Sequence, residues 1–119
     1  MKETTVTWRI FITYMFLLLL MLLRGSLFGQ VTVTHYNAEW NKANDVKWLS
    51  KLSDCDVAKV DIVKQPKLQT RHKIVVVPTI IVLDHGEEVK RYQANIMMQM
   101  EAKLDEVQNI VDETVMESF

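Results

Sequence analysis

The chain has 119 residues, with 14 Lys and Arg against 15 Asp and Glu, a net charge of −1, and 49% hydrophobic residues. That is room for one domain, and the balanced charge offers no basic excess to hold a phosphate backbone, which sets nucleic-acid binding aside. The single cysteine, Cys55, can form neither an intramolecular disulfide nor a dithiol redox pair. The three histidines, His35, His72 and His85, are scattered without metal-ligand spacing, so no metal and no cofactor are expected.

The first element is "IFITYMFLLLLMLL", Ile10 to Leu23, preceded by Lys2 and Arg9. Fourteen helical residues cover about 21 Å, short of the roughly 30 Å hydrocarbon core. Two readings stay open. The segment is a signal peptide cut after Gly29, or an uncleaved anchor in which Arg24 snorkels and Leu27 and Phe28 lengthen a tilted span over residues 10–28. Both divide the chain into 1–29 and a domain over 30–119. Both place that domain on the non-cytoplasmic side, because Lys2 and Arg9 hold the N-terminus in the cytoplasm. A third possibility is a start-site artefact, Met15 and Met21 lying inside the run, which leaves a cytoplasmic domain.

"VTVTHY", Val31 to Tyr36, is β-branched and alternating, hence a strand. From Asn41 to Ser53, Val46, Leu49 and Leu52 recur at helical spacing, and Asn41 or Asn44 could cap the start, so a helix is expected there. "VAKVDIV", Val57 to Val63, is a second strand, and Pro66 opens a short helical turn. "IVVVPTIIVL" must break at Pro78, leaving Thr79 to Leu83 as the strand proper. "DHGEE" is a hairpin turn with Gly86 at the position that takes positive φ, and "EVKRYQA" returns as the next strand. Leu104, Val107, Ile110, Val111 and Val115 mark an amphipathic helix starting near Glu101, with Asp105, Glu106, Asp112 and Glu113 on its solvated face. The order β-α-β-α-β-β-α gives a mixed four-stranded α/β sheet with helices on both faces.

Three segments in this order, "AEW" (Ala38 to Trp40), "VAKVDIVKQP" (Val57 to Pro66) and "VVVPTIIVLDHGEEV" (Val75 to Val89), resemble the thioredoxin family from about Val31 to Val115. The resemblance implies a thioredoxin-like fold in which Val77–Pro78 is the cis-proline loop. It also implies a peptide groove made of Trp40, Val77, Pro78 and Thr79, where an extended partner pairs with the backbone of Val77. The sequence departs from the family at the site itself. Trp40-Asn41-Lys42-Ala43-Asn44 stands where the family has Trp-Cys-Gly-Pro-Cys. Thiol–disulfide exchange needs a thiolate at a helix N-terminus and a second thiol to resolve the mixed disulfide, and asparagine supplies neither. By the same resemblance His35 takes the place of the family's buried acid and Lys59 that of its lysine partner. The strand and helix that usually precede the family's first strand are missing, unless the N-terminal segment stands in for them.

The expected function is therefore a redox-inactive, exported or membrane-anchored thioredoxin-fold protein that binds another protein or acts as a scaffold. The alternatives are a structural subunit of a larger assembly and a monothiol redox protein using Cys55. Trp40 reads either as a groove wall or as a cap over the sheet edge. His35 reads as a satisfied core histidine before a pH sensor, and Cys55 as a small hydrophobe before a reactive thiol. In "NIMMQM", Asn95 to Met100, the expectation is that Ile96, Met98 and Met100 alternate into the core, while Met97 joins the groove as an adaptable contact.

Overall fold

The computed structural model describes residues 8–19 and 31–117. Residues 8–19 form a helix, α1, about 18 Å long at the usual rise, with its large apolar side chains exposed. Among the described residues no helix is long and apolar enough to cross a membrane. The cut expected after Gly29, with Arg24, Leu27 and Phe28, lies outside the described residues.

The sheet has four strands: β1 (Val31–Asn37), β2 (Asp56–Asp61), β3 (Thr79–Asp84) and β4 (Glu87–Gln93), in the order β2-β1-β3-β4. β1 runs parallel to β2, with His35 opposite Lys59, and antiparallel to β3, with His35 opposite Ile80. β3 and β4 form the expected hairpin, and Gly86 at its turn has φ +82°, a left-handed conformation that costs glycine nothing. The helices α2 (Pro66–Arg71) and α3 (Leu104–Glu117) complete the domain.

β1 alternates between two cores. Val31 and Val33 pack with Val46, Leu49, Ile80, Val82, Val107 and Val111 on one face. Tyr36 packs with Ile62, Ile74, Val77 and Ile81 on the other. A strand buried on both faces explains why the first four positions of β1 and of β3 are all β-branched. On α3, Val107, Val111 and Thr114 are buried at i, i+4 and i+7, one stripe of the helix, while Asp105, Glu106, Asp112 and Glu113 are exposed.

Two expectations are corrected here. No α-helix spans Asn41 to Ser53. The segment forms two 3-10 pieces, Glu39–Asn44 and Leu49–Lys51, the first interrupted by non-helical φ/ψ at Asn41. Neither Asn41 nor Asn44 is a cap: the N-cap position belongs to Ala38, which makes no side-chain capping bond. The physical reason is local competition. Asn and Asp side chains offer nearby groups an alternative to the helical ladder, and here Asn37, Asn41, Asn44 and Asp45 bond to one another instead. The second correction is the loop before α3. Ile96 and Met98 are exposed rather than buried; only Met100 of that trio packs against the core.

Candidate functional site

The sheet register brings three loops to one end. Tyr36, near the end of β1, is opposite Thr79 at the start of β3, and Thr79 is opposite Gln93 at the end of β4. The residues following β1, preceding β3 and following β4 therefore leave the sheet together. The Ala94 N–H donates to the Pro78 carbonyl at 3.0 Å, tying two of these loops directly. The Val77–Pro78 peptide is cis.

At the middle of this end sits Asn41, only 6% exposed. Its Nδ2 donates to Asn37 Oδ1 at 3.1 Å and to the Val77 carbonyl at 3.4 Å, the second contact being at the weak end of hydrogen-bond geometry. Its Oδ1 accepts from Asn44 Nδ2 at 2.8 Å. Asn37 reciprocates: its Nδ2 donates to the Asn41 carbonyl at 3.1 Å and to Asp45 Oδ1 at 2.5 Å. Where a dithiol would sit by resemblance, the chain has a closed amide network that ties the loop after β1 to the loop before β3. Asn41 and Asn44 hold structure here.

The rim is apolar. Trp40 is 65% exposed, Val75 79%, Met97 70% and Ile96 fully so. The Ile96–Met97 tip is held by Asn95, whose Oδ1 accepts from the N–H groups of Met97 (2.9 Å) and Gln99 (3.1 Å) while its Nδ2 donates to Glu101. Glu101 is thus drawn into the loop, and α3 begins at Leu104 instead of near Glu101. Bonds that fix the backbone of the tip reduce the backbone entropy left to lose on contact.

Of the residues expected in the groove, Trp40 and Met97 are on this rim. Thr79 and Pro78 are fully buried and Val77 nearly so. The Thr79 hydroxyl donates to the Val76 carbonyl at 2.6 Å, bracing the loop from inside. The carbonyl of Val77 already accepts from Asn41. Sequence reasoning missed Val75, Val76 and Ile96 as rim residues. For the first two, an apolar run leading into a strand resembles core. For Ile96, the available signal was Asn95, a residue type that builds such turns.

Beside the rim, a cleft of about 280 Å³ opens where the parallel strands β1 and β2 end, lined by His35, Lys42, Asp45, Lys59, Asp61 and Lys64 among others. His35 is buried, and its Nε2 accepts the Val46 N–H at 3.2 Å, so the ring is a satisfied core histidine. Burial holds its imidazole below the ordinary 6.5; the Asp45 carboxylate acts to raise it and the Lys59 ammonium to lower it. Cys55 is half-buried against the Val107 side of the core, and burial, reinforced by Asp56, Asp54 and Asp112, pushes its thiol up to about 11. A thiol held so high carries almost no thiolate at neutral pH. Among the described residues no group of three or more His, Cys, Asp or Glu side chains could hold a metal ion.

Sheet order, the cis peptide before β3 and the helical cover together define a thioredoxin-like fold without a Cys-x-x-Cys motif. Solved structures agree on the fold. The chain is similar to a point mutant of the thioredoxin from Halobacterium salinarum NRC-1, with TM-score 0.58, 21% identity, and 72% of this chain against 75% of that one. It is also similar to the thioredoxin of Fasciola hepatica, with TM-score 0.55, 22% identity, and 80% against 90% coverage. For Schistosoma mansoni thioredoxin the TM-score is 0.53, the identity 21%, and the coverage 79% against 85%. No protein-family model matches the sequence, and no curated protein matches it.

Proposed function

We propose that this chain is a redox-inactive thioredoxin-fold module that binds a protein partner, non-covalently and reversibly, through the loop end of its sheet. In this reading the N-terminal segment delivers the domain to, or holds it at, a membrane. The observation that carries the reading is Asn41, a buried, fully bonded amide at the centre of a site whose rim is exposed and apolar. An amide cannot serve as the nucleophile of disulfide exchange, whereas Trp40, Val75, Ile96 and Met97 offer the apolar contact area that protein recognition uses. Aromatic and methionine side chains are the residues enriched at such contacts.

Site-specific photo-crosslinking tests this directly in the native host. Probes go at Val76 and Met97 on the rim, with a matched probe at Glu106 on the exposed side of α3. Thr79 is too deep to carry one. A discrete product from the rim probes alone supports the reading and names the partner. Products from Glu106 and none from the rim would favour the second reading, a structural subunit seated through another face. The monothiol reading is disfavoured by the raised Cys55 thiol. Intact mass of the native protein and protease protection of the domain test the delivery by residues 1–29.

A further inference from the structure

We infer that His35 and Asp45 form a proton-operated latch that sets the position of the segment from Ala38 to Val46 in response to pH. The hydrogen bond observed on the neutral ring is one that a protonated ring cannot keep. At neutral pH the His35 Nε2 carries a lone pair and accepts the Val46 N–H at 3.2 Å. Val46 is buried in the same core as Val33 and Leu49, so this bond pins the far end of the segment to β1. Protonation puts a hydrogen on Nε2, and two N–H groups then face each other. The bond from Val46 must break, because an imidazolium has no acceptor left.

Of the carboxylates around the cleft, Asp45 is the one that acts on the ring. Asp45, the neighbour of Val46, acts on the ring electrostatically and meanwhile accepts from Asn37 Nδ2. If Asp45 turns to the imidazolium, Asn37 loses that contact, and the Asn37 side chain also holds the Asn41 carbonyl and Nδ2. One proton thus reaches the network that ties Asn41 to Val77. The groups around the ring are set as such a latch requires. The segment itself contributes Asp45, with Glu39 and Lys42 at the cleft; β2 and its turn contribute Lys59, Asp61 and Lys64. β3 sets Ile80 opposite the ring, and α3 presents Val107 and Val111 to that side of the sheet. The ring lines the cleft, which gives a proton a path from solvent.

The sign follows from burial. The folded-state imidazole titrates below 6.5, so the unfolded chain binds a proton first as pH falls. The neutral-histidine form is at full stability above about 6.5 and loses it progressively as pH drops from there through the lowered folded value. A segment that can move while the rest of the sheet stays intact converts that loss into a local rearrangement. The latch rests on the groove reading only for its consequence, a change in the rim carried by Trp40.

The test is NMR on the isotopically labelled full chain in a mild detergent, titrated from pH 7.5 to 4.5. The expected result is that the His35 ring, the Val46 amide, the Asn37 and Asn41 side-chain amides and the Trp40 indole follow one titration curve. The amides of Val82, Leu83 and Asp84, toward the end of β3 away from the ring, stay unchanged over that range. Asp45→Asn, which removes the attracting charge, moves the midpoint to lower pH. Lys59→Met, which removes the opposing charge, moves it to higher pH. His35→Gln keeps an acceptor for Val46 but cannot titrate, and abolishes the step. The latch is overturned if the Val46 amide is silent while His35 titrates, if the step survives in His35→Gln, or if those β3 amides change with the same midpoint, which is ordinary acid unfolding. Midpoints that ignore both charge changes also overturn it. These readouts need no partner, so a rim that captures nothing in crosslinking defeats the groove reading and leaves the latch to stand or fall by its own spectra.

Discussion

Replacing Asn41 by alanine removes the hub of the amide network without touching an apolar contact, and its cost can be worked from the bonds. Three side-chain hydrogen bonds go: those to Asn37 at 3.1 Å, to the Val77 carbonyl at 3.4 Å, and from Asn44 at 2.8 Å. A typical bond contributes about 0.5–1.5 kcal/mol net. The 3.4 Å contact counts least, and Asn44 is part-exposed and can turn to water. The Asn37 side chain is buried, so its unpaired oxygen adds a desolvation cost of about 1–3 kcal/mol. The sum is about 2–4 kcal/mol, a large fraction of the 5–15 kcal/mol that holds a small domain together. Equilibrium urea unfolding measures it as a lower midpoint at unchanged slope. A double-mutant cycle with Asn37→Ala isolates their coupling, expected at about 1–2 kcal/mol. A loss below about 1 kcal/mol with no coupling would refute the reasoning, because the network would then be replaceable by water and Asn41 no more than a spacer.

Other substitutions separate the parts of the molecule. Arg91 donates to the carbonyls of His72 (2.6 Å) and Lys73 (3.0 Å) and to Glu88 (2.7 Å), stapling β4 to the loop after α2. Arg91→Met is expected to cost about 1–2 kcal/mol in chemical denaturation, mainly through the carbonyls, since an exposed ion pair adds little; an effect near zero sinks the staple. Ile96→Ser at the exposed tip is expected to leave stability within about 0.5 kcal/mol while abolishing rim crosslinks, and unchanged crosslinks would remove Ile96 from the contact. Cys55, with its thiol pushed up to about 11 from 9.0, is expected to react with iodoacetamide on the order of 100-fold more slowly than a free cysteine at pH 8. Equal rates would reopen the monothiol reading. Thr79→Val is expected to cost about 1 kcal/mol through the lost bond to the Val76 carbonyl, read by thermal unfolding.

How far the sequence could be read depended on whether a residue's environment was set locally. β1, the break at Pro78, the Gly86 turn and the stripe of α3 were legible because each follows from alternation, a missing N–H, a positive φ or a helical period. The segment after Trp40 was not, because its apolar spacing matched a helix while its asparagines found partners in Asn37, at the end of β1, and in Val77, on the loop before β3. Ile96 was expected in the core and is exposed, and Val75 was missed at the rim. Apolar character gives the tendency to be buried, and only the course of the loops decides which side chains are left outside.

The place of β1 in the sheet has a consequence in time. Among the described residues β1 is an interior strand of the sheet and the first strand along the chain, yet its antiparallel partner β3 ends only at Asp84. At roughly 5–20 residues per second of synthesis, β1 waits roughly 3 to 10 s before the strand that completes its pairing exists. Non-local pairing of this kind closes late and slowly. In that interval β1 has at most its parallel partner β2, so the sheet cannot close until β3 has been made.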